Sequence, residues 1–302
     1  EASPSTLRAG IFSLAEVTRA DKKVVGNKAG LLGELLAAGL PVAPGIALCT
    51  ATCRGLRATK GFTTEQLNRL EKTIEALWPD CAKFAVRTSA VEGERANEQN
   101  LRDTRCEYFV PKDALPLAII AAASAPTEAH TPAPDGSVDR AVIVQPMVAA
   151  EVSGVLFAGA LQAGSSERYL IESCWGLGRA LDEGQTDPDR FQLDRNNKIV
   201  DQERGRKQHQ IKGEGTGALV SVSEQQRLAL TLTKEQLVEI TQLAKRCAAV
   251  LGSAQDIEFA VADENLVLLQ ARPVAAARLA PENVPAGRWV IYAPQLENCA
   301  AP

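Results

Sequence analysis

The sequence lacks several things that would point to whole classes of protein. No apolar run is long enough to cross a bilayer; the longest, Ala114 to Pro126, falls well short of the roughly 20 residues a membrane helix needs. The N-terminus has no charged-then-apolar signal pattern, which leads us to expect a cytoplasmic protein that does not engage a membrane. There is no basic excess: 33 Lys and Arg against 37 Asp and Glu leave a net charge of −4. General nucleic-acid binding, which needs a basic footprint, is therefore not expected, although a local basic pocket for one nucleotide remains compatible. Histidine is confined to His130 and His209. The seven cysteines are scattered; Cys49 and Cys53 have a CxxxC spacing, but no second pair or histidine cluster completes a zinc site. They read as reduced, mostly buried thiols. Residue 1 is Glu and the only Met is Met147, so the chain is expected to be processed, trimmed or part of something larger.

What is present is ordinary for a globular protein: 45% hydrophobic and 23% charged residues over 302 positions. That length suggests two domains or one multi-lobed one, with enough core to need no metal or disulfide staple. A helix is expected from Gly26-Asn27-Lys28 onward, with Leu31, Leu32, Leu35 and Leu36 on one side and Gly39 and Pro41 ending it. Ile46 to Thr50 and Phe84 to Arg87 read as short strands, with a Thr-capped helix, Thr63 to Leu77, between them. Residues 91–107 and 124–138 read as loops. Ala141 to Val148, Gly154 to Ala158 and Arg168 to Glu172 read as strands, and 194–216 as a hairpin plus a surface loop. A capping box at Thr233 to Gln236 opens a helix to Leu251, with Gly252 past its end. The segments group as an N-terminal lobe (1–80), a central lobe (81–215) and a C-terminal helix and hairpin (216–302).

The C-terminal hairpin, Ile257 to Val261 and Leu266 to Arg272, carries the most chemistry. With its turn centred on Glu264, Glu258 pairs with Gln270, and Arg272 shares their face. Ile257, Phe259, Val261, Val267 and Leu269 are expected on the opposite, core face. Carboxylate and amide oxygens are hard donors suited to magnesium, and a guanidinium suits phosphate. The same alternation also fits a half-buried ribbon whose polar side meets only water. Lys28, before a helix, is placed to reach an anion at the helix start. Arg87 closes an apolar strand and must reach solvent, a carboxylate or a ligand. Trp175-Gly-Leu-Gly178 is a glycine turn that fits simple packing. No P-loop and no complete dinucleotide fingerprint is present.

In order along the chain, these pieces resemble a known family. Gly26-Asn-Lys28-Ala-Gly-Leu-Leu-Gly-Glu-Leu, Val86-Arg-Thr-Ser-Ala90, Val144-Gln-Pro-Met-Val148 with Val152-Ser-Gly-Val-Leu-Phe157, Ile171-Glu-Ser-Cys-Trp-Gly-Leu-Gly178, Thr186-Asp-Pro-Asp-Arg190, Gln255-Asp-Ile-Glu-Phe259 and Leu269-Gln-Ala-Arg-Pro273 are similar to segments of the nucleotide-binding domain of phosphoenolpyruvate synthase and pyruvate phosphate dikinase. The resemblance covers about residues 20–274. It implies an α+β, ATP-grasp-type fold whose two lobes clamp ATP, with ATP and Mg2+ as cofactors. It further implies that Lys28, Arg87 and Arg272 hold phosphates, the two arginines serving catalysis. Gln145 and the backbone near Met147 would line the adenine pocket, Glu151 would meet the ribose, and Glu258 and Gln270 would bind the metal.

Three departures from the family pattern stand out. Where the family has a glycine lid over the phosphates, this chain has Asn100-Leu-Arg-Asp103-Thr-Arg-Cys-Glu107, and an aspartate there repels a phosphate. Phe157-Ala-Gly-Ala-Leu161 replaces the family's FTxDP segment, and Arg179 stands where the relatives carry glutamate. The full-length relatives carry a phosphorylatable histidine domain further on, which these 302 residues are too few to include, and His130 and His209 read as surface residues. The implied function is an ATP-dependent phosphotransferase acting on a small-molecule acceptor or on a separate phosphohistidine domain or chain. An ATP-grasp ligase that activates a carboxylate as acyl phosphate, and a non-catalytic nucleotide-binding subunit, are the alternatives.

Overall fold

The structure, a computed structural model, describes residues 10–91, 106–125, 139–159, 168–213 and 217–274. These group into two compact units divided between Met147 and Val148. The strand at Arg140–Pro146 belongs to the first unit because it hydrogen-bonds to strands from the first 90 residues.

The first unit is a five-stranded antiparallel sheet in the order β1-β2-β5-β3-β4, where β1 is Ile11–Ser13, β2 Ile46–Leu48, β3 Lys83–Ala90, β4 Cys106–Pro111 and β5 Arg140–Pro146. Period-two alternation divides β3. Phe84 and Val86 join a core with Ile46, Leu48, Val142 and Val144, closed by α2 (Thr50–Thr59), α3 (Thr64–Leu77) and α4 (Leu115–Ser124). Ala85, Arg87 and Ser89 take the other face, toward α1 (Lys22–Ala37). α1 is broken at Gly26, whose φ of 75° suits glycine, and a Cβ there would lie 2.1 Å from the Ser89 carbonyl oxygen. The α3 capping box and the glycine past α1 are as expected.

Two helices in this unit were not legible. α2 is rich in Thr and holds Gly55, all weak helix formers, and its cap is the Cys49 thiol, which accepts the Thr52 N–H. α4 is apolar on nearly every side, so it shows no amphipathic period. Of the expected loop 91–107, Cys106 and Glu107 belong to β4, and residues 92–105 lie outside the described residues; so do 126–138 of the second loop.

The second unit is a six-stranded antiparallel sheet in the order β13-β12-β6-β7-β8-β9: β6 is Val152–Gly159, β7 Arg168–Trp175, β8 Asp189–Asp194, β9 Ile199–Glu203, β12 Gln255–Ala262 and β13 Asn265–Pro273. One face, with Leu156, Ile171, Phe191, Leu193, Ile257, Phe259 and Leu268, forms the core under α7 (Lys234–Leu251). The capping box of α7 and its left-handed Gly252 match the sequence expectation. Shorter elements are α5 (Arg179–Asp182), α6 (Glu224–Leu228) and a two-stranded ribbon of β10 (His209–Ile211) and β11 (Leu219–Ser221). Residues 194–203 form the expected hairpin of β8 and β9, but 205–213 is not surface loop. Gly205, Lys207, Gln210 and Ile211 are buried. No helix among the described residues is long and apolar enough to cross a membrane.

The β12–β13 turn is tighter than centring on Glu264 implies. Ala262 pairs with Asn265, and Asp263 and Glu264 both have left-handed φ, 49° and 62°, as a two-residue hairpin turn requires. A bulge between Glu258 and Phe259 then shifts the register by one residue and restores the expected pairs, Glu258 with Gln270 and Asp256 with Arg272. The bulge also corrects the core face. Leu268, fully buried, pairs with Phe259, so Val267 and Leu269 do not lie there.

Candidate functional site

Across the sheet of the second unit, the face away from α7 carries a ladder of paired residues: Gln270, Glu258, Val155, Glu172 and Arg190. One rung along, Asp256 stands opposite Arg272. The Arg272 Nε lies 3.5 Å from the Asp256 Oδ2, and the Asp256 Oδ1 accepts the Ala158 N–H at 3.1 Å. The aspartate side chain is 5% exposed and the arginine 23%, so the anion is locked and the cation keeps an open side. Asp256, Glu258, Gln270 and Arg272 line one small cleft with Val155 and Phe157.

Glu258, Gln270 and Arg272 thus come together as the sequence predicts. Asp256 was not singled out there, although the pairing arithmetic that joins 258 to 270 also joins 256 to 272. Among the described residues there is no cluster of three or more His, Cys, Asp or Glu that could hold a metal ion by itself. The half-buried Glu258 and Gln270 offer one carboxylate and one carboxamide, a donor set that fits magnesium when substrate phosphates and water complete the shell.

Further along the ladder, the buried Glu172 carboxylate accepts the Arg190 Nε–H at 2.8 Å. Burial pushes the Glu172 carboxyl above the usual carboxylate range, and the guanidinium draws it partly back. Glu151 lies at the other end of β6. Its carboxylate accepts the Asp263 N–H at 3.3 Å and is exposed. By strand rise it stands about 13 Å along the sheet from Glu258, so these two do not share one contact shell. Arg179, which changes the sign of a charge in the family pattern, is taken up by Glu183 one turn on, Nε to Oε1 2.7 Å, at the exposed surface. Of the altered lid stretch, residues 100–105 lie outside the described residues, as does His130; Glu107 is in β4. His209 is not in an exposed polar run. It is half-buried in β10, paired with Ser221.

In the first unit, Arg87, Ser89 and Gln145 share the sheet face turned to α1, since Ala85 pairs with Gln145 and Arg87 with Ile143. The Ser89 Oγ accepts the buried Ala29 N–H at 3.0 Å, so a strand residue caps the helix that restarts after Gly26. Lys28, half-buried, lies in that first turn. Gln145 is buried and its carboxamide donates to the Ala43 carbonyl at 2.8 Å. The Met147 N–H donates to the Lys83 carbonyl at 3.0 Å. Both groups therefore hold the end of β5 in place.

The family model for the pyruvate phosphate dikinase AMP/ATP-binding domain matches residues 128–286. The chain is 30% identical, over 88% of its length, to the prodigiosin synthesizing transferase PigC of Serratia marcescens, of which it covers 33%. It is 25% identical, over 88% of its length, to a probable phosphoenolpyruvate synthase of Methanothermobacter thermautotrophicus, covering 46% of it. A rifampicin phosphotransferase of a Streptomyces species is 32% identical over 48% of this chain and 17% of that protein. The chain thus spans less than half the length of these relatives. Among solved structures, D-alanyl-alanine synthetase A of Vibrio cholerae is similar in broad outline, at 13% identity and a TM-score of 0.40, over 83% of this chain and 56% of that one. With more than half of the chain matched by its model, the protein belongs to the family of the pyruvate phosphate dikinase AMP/ATP-binding domain.

Proposed function

We propose that the chain is the nucleotide-binding part of an ATP-dependent phosphotransferase of the phosphoenolpyruvate synthase and pyruvate phosphate dikinase type, with the ATP-grasp-type, two-lobed fold that this implies. The observation that carries the reading is the ribbon of β12 and β13: a carboxylate, a carboxamide and a guanidinium on one sheet face, with the guanidinium steered by a buried aspartate. Phosphoryl transfer needs little covalent chemistry from a protein; positioning and charge neutralisation do most of the work. In this reading Glu258 and Gln270 would hold Mg2+, which supplies charge neutralisation at the phosphates. Lys28, Arg87 and Arg272 hold the phosphates, and the two arginines stabilise the charge that develops in transfer. Gln145, Met147 and Glu151 serve the adenosine end. Because the Gln145 carboxamide nitrogen and the Met147 amide are engaged with Ala43 and Lys83, that end of the site is shaped by fixed backbone.

The relatives are named for different substrates or products, and this chain covers 33%, 46% and 17% of the three named above. We therefore place the choice of acceptor, a small molecule or a separate phosphohistidine domain, outside the residues described above. The test is calorimetric titration of ATP with magnesium on wild type and on Glu258→Ala. Wild type is expected to bind and the variant to lose at least tenfold in affinity. Equal binding by both would remove the metal role from Glu258, and no binding by wild type would remove the nucleotide site.

A further inference from the structure

Residues 205–213 form a strap whose two ends are fixed by different means. At the first end, the Lys207 ammonium is 0% exposed and donates to the Asp189 carboxylate, also 0% exposed, and to the Gly205 carbonyl at 3.2 Å. Asp189 is saturated by further donors: Gly205 N–H at 2.9 Å, Thr231 N–H at 2.8 Å and the Thr231 hydroxyl at 3.0 Å. The Lys207 N–H reaches the Asp187 carbonyl at 3.1 Å. A Cβ on Gly205 would lie 2.2 Å from the carbonyl oxygens of Asp187 and Pro188, so the backbones are pressed together.

At the second end, a Cβ on Gly213 would lie 2.4 Å from the Ala150 nitrogen. Between the ends, the Ile211 carbonyl accepts the Leu177 N–H at 2.8 Å, and Gly176 sits so close that its Cβ would be 2.2 Å from that oxygen. The Gly176 N–H in turn donates to the Glu151 carbonyl at 2.7 Å, and the Glu151 N–H donates to Val261 at 2.9 Å. The strap, the glycine turn and Ala150-Glu151 therefore close a ring of backbone contacts, bolted to the start of β8 by a buried ion pair.

We propose that this strap is a positioning device for the adenosine end of the nucleotide, and that Gly213 and Gly176 are positioning residues that set Ala150 and Glu151. The proposal rests on the nucleotide-binding reading above. It follows from where the strap presses: on Ala150, just before β6, and on the glycine turn that is bonded to Glu151. Its absence should therefore weaken recognition of adenosine and leave recognition of a polyphosphate chain unchanged, a split that general loss of structure does not produce.

The experiment titrates Mg-ATP, adenosine and Mg-tripolyphosphate into the wild-type chain and into Gly213→Ala. The expected result is about tenfold weaker binding of ATP and adenosine by the variant, with tripolyphosphate within twofold. Equal weakening of all three, or no change in any, would overturn the proposal while leaving the nucleotide site standing. Failure of wild type to bind either ATP or tripolyphosphate would overturn both. Should Gly213→Ala not fold, amide exchange of wild type decides: adenosine is expected to slow exchange at Gly176 and Leu177 and tripolyphosphate is not, and equal protection by the two would overturn the proposal.

Discussion

Arg272–Asp256 and Lys207–Asp189 are both cation–carboxylate pairs in the second unit, and they sit on opposite faces of the same sheet. In the first, the carboxylate is buried and the arginine is partly open, 3.5 Å away. In the second, both groups are fully buried and every oxygen of the carboxylate is used. The difference separates holding a ligand from holding the chain. A guanidinium with five donors and one aspartate neighbour keeps capacity for a phosphate. A saturated buried pair has nothing left to offer a ligand, and removing one partner leaves an uncompensated charge in the interior.

The sharpest way to break that comparison is to remove each cation in turn. Lys207→Met should cost about 3–5 kcal/mol of stability in denaturant unfolding, because Asp189 is left charged and buried. Arg272→Ala should cost less, about 1–3 kcal/mol, because Asp256 keeps the Ala158 N–H and the open side admits water, and should weaken Mg-ATP binding by about ten- to a hundredfold, the scale of a lost charge-assisted contact. If the two variants exchanged these effects, the assignment of roles would be wrong.

A second pair of variants tests the register beneath the site. Leu268→Ala, in the core opposite Phe259, should cost about 2–5 kcal/mol, whereas Leu269→Ala, at the bulge, should cost under about 1 kcal/mol. Comparable losses would mean that the bulge is absent and that Leu269 faces the core.

The smallest effect concerns the thiols. Burial pushes Cys53, Cys174 and Cys247 each up to about 12, so their thiolate fraction at pH 8 is negligible. With Cys299 replaced by Ser, a thiol reagent at that pH should label the half-buried Cys81 and Cys106 first and reach those three only on unfolding. Rapid labelling of Cys174 at pH 8 would show that the cover over this part of the sheet opens readily.

How much of the site was legible differs from residue to residue. Glu258, Gln270 and Arg272 could be placed together because a hairpin is local and strand parity is fixed at two. Their pairing was right although the turn was not, since the bulge offset the shorter turn by one residue. Asp256 lay within reach of the same reasoning. Glu151 was named from a motif, and its distance along the sheet from Glu258 followed only from the pairing of β6 with β12. The strap was missed because its sequence, polar and rich in Gly, Lys and Arg, has the composition of a surface loop.

By itself the sequence determined the elements whose signals are carried by neighbours a few residues apart: the capping boxes of α3 and α7, the glycine stops, the alternation that puts a carboxylate, a carboxamide and an arginine on one side of a ribbon. Only the tertiary structure decided which polar groups would be buried together. Lys207 meets Asp189 across 18 residues, Thr231 meets the same carboxylate across 42, and Ser89 caps α1 across 60. No short-range pattern encodes such meetings. Each exists because burial makes an unpaired charge or amide too costly, and the fold supplies whichever partner it has brought near.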